Sequence, residues 1–250
     1  MGVSPRLVAL VMFFAFLAMT AGCSGGGEGT PDAGQTIKVS GNAFSFELPG
    51  QPYGRISGAS VSVLENPSYK TTTKTDGYFE FAALPAGMEA TFVLKAKNFP
   101  EAQTKTFTLP KTDMPKLTFQ IPSNDLFEMI AGMISVTVDP TKCQMVSTVT
   151  MVGKSIYDEG AHGLAGALVS TDRSVPAGNG PIYFNSDVMP DRKQLESSDD
   201  GGVLFVNMDP GDYVLTATKT GVSFEQVKMK CRANVFVNAS PPYGLQALAN

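Results

Sequence analysis

Short runs of alternating apolar and polar residues recur along the chain, and this period of two is typical of strands with one buried face. Phe79 and Phe81 alternate with polar or small neighbours, and residues 213–217 repeat the pattern later in the chain. The dipeptides Asp76-Gly77 and Asp200-Gly201 precede these stretches, and both are typical of hairpin turns. The pattern therefore predicts an all-β protein.

The same pattern occurs twice. Residues 75–87 match residues 199–211 at a constant offset of 124, and residues 58–63 match residues 166–171 at an offset of 108. The second copy therefore carries 124 − 108 = 16 additional residues between these landmarks. This self-similarity predicts a two-fold repeat with one expanded loop. The matched positions include Asp76 with Asp200, Gly77 with Gly201, Phe81 with Phe205, Leu84 with Met208, Gly87 with Gly211 and Lys95 with Lys219.

Each copy contains seven predicted strands separated by turn residues, which is typical of a β-sandwich. In the first copy, assigned to residues 37–122, they are 36–40, 43–48, 59–64, 78–82, 91–97, 104–109 and 116–121. In the second, assigned to residues 140–250, they are 144–152, 167–171, 181–184, 203–206, 213–218, 223–229 and 235–237. Between them lies a linker, residues 123–139, in which residues 123–133 have the capping residue and apolar spacing of a short amphipathic helix. We expect two tandem transthyretin-like or immunoglobulin-like sandwiches with this helix between them.

The order of motifs in the first copy resembles the carboxypeptidase regulatory-like domain. Gly58-Ala-Ser-Val-Ser-Val63 is followed by Thr75-Asp-Gly-Tyr-Phe79 and then by Leu84-Pro-Ala-Gly87. The second copy is a diverged example, with Met208-Asp209 in place of Leu-Pro and Val203 in place of the first aromatic residue. The resemblance implies a seven-stranded, transthyretin-like sandwich and supplies no catalytic residues.

The N-terminus has the three regions of a secretory signal peptide, which we assign to residues 1–22. Arg6 precedes thirteen apolar residues, 7–19, a run too short to span a bilayer. The sequence Thr20-Ala-Gly-Cys23 resembles a bacterial lipobox, which implies palmitate and other acyl groups on Cys23; ordinary cleavage that leaves a free thiol is the alternative. Ser24 after this Cys implies the outer membrane. Residues 23–36 are Gly-rich and polar, which predicts a flexible tether between membrane and folded body.

The charge of the chain argues against nucleic acid as a partner. The sequence has 19 Lys and Arg against 23 Asp and Glu, and removal of Arg6 with the signal peptide leaves 18 − 23 = −5. No basic run is present that would follow a phosphate backbone. The expected partners are the membrane, through the lipid, and an envelope protein or saccharide.

The cysteines left after lipidation of Cys23 form an even pair in an exported protein. Cys143 and Cys231 lie near the first and last predicted strands of the second copy, 231 − 143 = 88 residues apart. We predict a disulfide between them, because disulfides are stable in oxidising compartments. A reactive or metal-binding thiol pair is the alternative, and no Cys-x-x-Cys spacing or companion His supports it.

His162 is the only histidine, and it lies in the Gly-rich segment 159–166. A surface proton acceptor and an ordinary loop residue are the two interpretations, and one titratable group without a visible partner favours the second. The zinc, iron and hydrolase sites of carboxypeptidases and of enzymes on related sandwiches each need more than one His. No Gly-x-Ser-x-Gly motif is present for a serine hydrolase with His162 as its base. We therefore expect a protein that is not an enzyme and has no cofactor.

The expanded loop of the second copy, residues 185–200, is the main difference between the copies and is our candidate partner site. Its acids could bind calcium, although they lack the regular spacing of a calcium loop, so a solvated acidic loop is preferred. The predicted function is non-enzymatic binding or scaffolding by a lipid-anchored envelope protein. The alternative is an accessory lipoprotein that binds saccharide or calcium, with tyrosines near turns as sugar platforms. The acids are Asp187, Asp191, Glu196, Asp199 and Asp200, and the tyrosines are Tyr53, Tyr69, Tyr183 and Tyr243.

Overall fold

The structure is a computed structural model that describes residues 34–160, 162–239 and 243–249. These residues form a mostly β protein with one helix. The strands are β1 (Thr36–Phe46), β2 (Gly54–Arg55), β3 (Ser60–Val63), β4 (Lys70–Thr72), β5 (Tyr78–Pro85), β6 (Glu89–Lys95), β7 (Ala102–Thr108), β8 (Met114–Pro122), β9 (Cys143–Thr150), β10 (Leu168–Thr171), β11 (Ile182–Phe184), β12 (Pro190–Asp191), β13 (Gly202–Met208), β14 (Gly211–Thr218), β15 (Val227–Cys231), β16 (Phe236–Asn238) and β17 (Leu245–Gln246), and the helix is α1 (Asn124–Met133). Within the described part of the chain, no helix is long and apolar enough to cross a membrane. The predicted signal peptide, Cys23 and most of the tether lie outside the described residues.

Strands of the first copy form two facing layers. In one layer, β1 pairs antiparallel with β2 and β5 and parallel with β8. In the other, β3 pairs antiparallel with β4 and β6, and β6 pairs antiparallel with β7. The inward side chains of both layers form one hydrophobic core, which includes Phe79, Phe92 and Phe119. This arrangement confirms the predicted β-sandwich character.

The pairing pattern recurs in the second copy. β9 pairs antiparallel with β13 and parallel with β16, as β1 does with β5 and β8. β14 pairs antiparallel with β10 and β15, as β6 does with β3 and β7. The offset of 108 carries β3 onto β10, and the offset of 124 carries the start of β5 onto the start of β13. The similarity between the two sequence segments therefore corresponds to equivalent strands.

The two copies share one continuous sheet. β16 of the second copy pairs parallel with β7 of the first through Phe236 with Ala102 and Val237 with Gln103. This contact joins strands of both copies into a ten-stranded sheet. Arg232 reinforces the joint, since its Nη2 lies 2.6 Å from Glu101 Oε1 and its Nε donates to Gln103 Oε1 at 2.9 Å. Because the sheet is continuous, the division into two separate domains stays a prediction.

The second copy has its own core between the ten-stranded sheet and the three-stranded sheet β10–β14–β15. The predicted disulfide is present: Cys143 at the start of β9 is bonded to Cys231 at the end of β15, with their Cα atoms 5.6 Å apart. The bond therefore links the two layers of this sandwich. Closing a loop of 88 residues is worth about 4 to 5 kcal/mol in the chain-entropy account.

The predicted linker helix is confirmed as α1. Ser123 is its N-cap, and its side chain accepts a hydrogen bond from the backbone N–H of Leu126 at 3.3 Å. Phe127 stacks edge-on against Phe236, with ring centroids 5.8 Å apart. The helix therefore packs against β16, the strand through which the two copies meet.

The predicted turns at Asp76 and Asp200 are present, but they do not close hairpins. Asp76 Oδ1 accepts from the Tyr78 N–H at 3.0 Å, and Asp200 Oδ2 accepts from the Gly202 N–H at 2.9 Å. In the first copy the turn leads from β4, which pairs with β3, into β5, which pairs with β1. Asp76 thus organises the entry to a strand of the opposite sheet. On either side of Asp200, β12 and β13 belong to the same ten-stranded sheet, where β11 lies between them.

Candidate functional site

A cavity lies at the seam between the two copies, and we call it the seam cavity. It has a volume of about 120 Å³. One wall, which we call the floor, is the face of the ten-stranded sheet that points away from the second core. Helix α1 and residues 134–138 after it cover this floor. The seam cavity is therefore lined by residues of both copies and of the predicted linker. Its apolar lining includes Phe46, Phe127, Ile130, Ala131, Ile134, Val136, Val146, Phe184, Leu204, Val206 and Phe236.

The β13 part of the floor is apolar because this strand is buried on both faces, whereas β9 contributes Gln144, Val146 and Thr148 to the lining. Val203 and Phe205 point into the second core, whereas Leu204 and Val206 belong to a separate apolar cluster on the other face. Successive residues of a strand point to opposite faces, so a run of four apolar residues buries both. The continuous apolar run 203–206 is the sequence signal that the second face of β13 is also covered. A strand with only one buried face would instead alternate apolar and polar residues.

His162 lies at one end of the seam cavity. Its imidazole Nδ1 is buried and has no hydrogen-bond partner, an uncommon state for a buried polar atom. Backbone pairing fixes the segment, because the Met151 N–H donates to the His162 carbonyl at 3.0 Å and the Gly163 N–H donates to the Asp199 carbonyl at 2.9 Å. His162 therefore lies in a loop, as preferred from the sequence, and it also lines the seam cavity, which the sequence did not indicate.

Asp200 lines the same seam cavity beside the ring of Phe184. A Cβ built on Gly202 would lie 2.6 Å from Asp200 Oδ2 and 2.8 Å from Phe184 Cγ, which shows how closely these groups pack. Burial raises the pKa of Asp200 to about 6, the nearby charge of Asp199 adds to the increase, and the hydrogen bond from the Gly202 N–H opposes it. The matched Asp76 of the first copy is exposed.

The expanded loop 185–200 is held against the body at several points. Arg192 donates from Nε to the Ile134 carbonyl at 2.8 Å and from Nη1 to the Gly178 carbonyl at 2.7 Å. Ser197 Oγ accepts from the Ala167 N–H at 2.8 Å, and Ser198 Oγ donates to the Phe184 carbonyl at 2.7 Å. The loop is therefore ordered by its own contacts.

The five acidic side chains of the predicted partner site do not lie together in the structure. Asp187, Glu196 and Asp199 are exposed, while Asp191 lies in β12 and accepts from the Lys193 N–H at 2.8 Å. Asp200 belongs to the seam cavity instead of the loop surface. In the described part of the chain, no three His, Cys, Asp or Glu side chains gather as a metal site.

The four tyrosines considered as sugar platforms occupy different environments. Tyr183 is buried in the second core, and its hydroxyl accepts from the Val169 N–H at 2.8 Å. Tyr69 and Tyr243 pack against the first core, and Tyr243 stacks edge-on with Phe107 at 5.7 Å. Tyr53 is 42% exposed and stands at the seam cavity. They therefore form no shared aromatic surface.

Comparisons with known proteins do not assign the chain to a family. No protein-family model matches it, and no curated protein matches its sequence. Among solved structures, the TIE protein of Bacillus anthracis is 12% identical, with a TM-score of 0.27 over 85% of this chain and 34% of that one. The minor pilin GBS52 of Streptococcus agalactiae is 14% identical, with a TM-score of 0.27 over 86% and 97% of the two chains. The shaft pilin SpaA of Lactobacillus rhamnosus GG is 11% identical, with a TM-score of 0.25 over 86% and 98%.

This chain spans about a third of the length of the TIE protein. TM-scores of this size do not place the chain in the families of these proteins. The resemblance to carboxypeptidase regulatory-like domains therefore stays a prediction.

Proposed function

We propose that the chain is a lipid-anchored, non-enzymatic protein of the cell envelope that binds or scaffolds a partner through its expanded loop. Lipid on Cys23 would hold it at the membrane, and the Gly-rich tether would separate the folded body from the bilayer. The carboxypeptidase regulatory-like resemblance fits this role, because such modules carry no catalytic residues of their own.

The disulfide supports an exported location. Disulfides persist in oxidising compartments and are rare in the cytosol, so the bond between Cys143 and Cys231 agrees with the predicted signal peptide. Within the second sandwich it links the sheet that carries β9 to the sheet that carries β15.

The observation that carries the binding role is the ordered, outward presentation of the expanded loop. Leu195 is 79% exposed, and the acids Asp187, Glu196 and Asp199 surround it in the sequence. Because Arg192 and the two loop serines already hold the backbone, a partner would not need to order this segment on binding, which favours affinity. A partner with a basic surface and a small apolar contact would complement it.

Metabolic labelling with an alkyne analogue of palmitate tests the anchor. The unchanged protein should take up the label and sediment with envelope membranes, and Cys23→Ala should lose both properties. The double variant Cys143→Ala/Cys231→Ala is the matched control, because it also removes thiols but should keep the label. Label that survives in Cys23→Ala, or an unlabelled wild-type protein, would contradict the anchor.

A further inference from the structure

The seam cavity has room for a small ligand. A protein cavity of about 150 Å³ lined by Leu, Ile and Phe is large enough for benzene. The seam cavity has a volume of about 120 Å³, and its lining combines Leu, Ile and Phe side chains with several polar ones, so it suits a molecule with a single ring or a short branched chain.

The polar residues at one end of the cavity restrict which functional group a ligand can place there. His162 Nδ1 has no partner, and an imidazole nitrogen is a donor or an acceptor according to tautomer. A hydroxyl group both donates and accepts, so it can satisfy this nitrogen in either state. A carboxylate ligand would meet the like charge of Asp200, so a neutral hydroxyl suits this end better than an anionic group does.

The amide side chains of the lining are already engaged. Gln144 Nε2 donates to Asn207 Oδ1 at 3.0 Å, and Asn238 Nδ2 donates to the Gln120 carbonyl at 2.7 Å. Ser147 also lines the cavity and its Oγ is buried without a partner, but Ser147 is paired with Val203, whose side chain points into the second core. The polar contact for a ligand is therefore assigned to the end where His162 and Asp200 lie.

We propose that the seam cavity binds a small apolar molecule with one hydroxyl group, placing the hydroxyl at His162 and the apolar part beneath α1. Phenol is the simplest probe of this class, and toluene is its counterpart without the hydroxyl. This site is separate from the expanded loop and does not depend on the lipid anchor.

Calorimetric titration of the mature chain, residues 23–250 with Cys23→Ser, tests the proposal. All buried hydrophobic residues lie between Ile37 and Ala247, so this chain contains the whole described core. Phenol should bind about threefold to tenfold more tightly than toluene, which is the range expected for one additional net hydrogen bond. His162→Phe should abolish that preference.

Two substitutions in α1 test whether phenol binds in the cavity or elsewhere on the surface. Ala131 is buried and lines the cavity, so Ala131→Leu should fill it and weaken phenol binding at least about tenfold, since several apolar contacts are lost. Met129, on the same helix, is 43% exposed and does not line the cavity, so Met129→Leu should leave the affinity unchanged.

A spectroscopic measurement needs no substitution and remains decisive if a variant does not fold. His162 is the only histidine, so its imidazole nitrogen resonances are unambiguous. Phenol should shift the Nδ1 resonance more than toluene does. Absence of phenol binding, binding unaffected by Ala131→Leu, equal affinity for the two probes, or an Nδ1 resonance that phenol does not move would each overturn the proposal.

Discussion

Replacement of Asp200 by Asn should stabilise the protein, and the gain should depend on pH. Burial beside Phe184 raises the pKa of Asp200 from its ordinary 3.8 to about 6 in the folded state. The substituted amide keeps an oxygen that can accept the hydrogen bond from the Gly202 N–H. The substitution therefore removes the cost of a desolvated charge while leaving the turn in place.

The size of the effect follows from the two pKa values. Their difference, 6 − 3.8 = 2.2 pH units, corresponds to an upper limit of about 3 kcal/mol at about 1.4 kcal/mol for each unit. Below pH 3.8 the carboxyl group is protonated in both states, so the variant should gain little. Between pH 3.8 and 6 the folded state keeps a proton that the unfolded state releases, so wild-type stability falls as pH rises. Above pH 6 the full difference applies.

Urea unfolding of both proteins between pH 3.5 and 8 measures this difference directly. The repeat supplies a matched control in Asp76→Asn, because Asp76 makes the same turn but is exposed. That variant should change the free energy of unfolding by less than about 0.5 kcal/mol at every pH. Equal effects of the two substitutions, or an Asp200→Asn gain that does not vary with pH, would refute the reasoning.

Two further predictions concern the second copy and its joint with the first. Cys143→Ala/Cys231→Ala should lower the free energy of unfolding by about 4 to 5 kcal/mol, and a reducing agent should destabilise the wild type but not the variant; a loss below about 1 kcal/mol in urea unfolding would contradict this. Phe236→Ala should cost about 3 to 5 kcal/mol, because the ring is buried in the first core although β16 belongs to the second copy. Urea unfolding followed by both circular dichroism and tyrosine fluorescence should then show one shifted transition, and a second transition left unmoved would show that the copies unfold independently.

Local patterns in the sequence predicted most individual elements. The offset of 108 relates β3 to β10, and the offset of 124 relates the start of β5 to the start of β13. The sequence revealed these equivalences because turn residues and alternating side chains depend only on near neighbours in sequence. Ser123 correctly marked the start of α1, since capping is also a local interaction. The disulfide was predictable because only two cysteines remain after Cys23.

Gly41 shows where local reasoning failed. It lies between the predicted strands 36–40 and 43–48, yet β1 runs without interruption from Thr36 to Phe46. A Cβ at this position would lie 1.7 Å from the Leu117 carbonyl oxygen, so the glycine serves the close approach of β8. Sequence alone does not distinguish a glycine that ends a strand from one that admits a neighbouring strand.

The joint between the copies and the seam cavity depend on long-range contacts. β16 meets β7 through two residue pairs, and no pattern within either segment specifies the other. His162 and Asp200 lie 38 residues apart in sequence (200 − 162) and become neighbours of one cavity only through the pairing of the segments around them. The run Val203-Leu-Phe-Val206 was the one available signal, because it indicates a strand covered on both faces.

In-cell photo-crosslinking from the expanded loop tests the proposed function most directly. A photoreactive amino acid at position 195 should form adducts with a discrete envelope partner in cells that carry the lipidated protein. The same amino acid in place of Met133, which is 56% exposed on α1, is the control and should not form those adducts. Identical adducts from both positions, or none from position 195, would contradict a loop-mediated binding function.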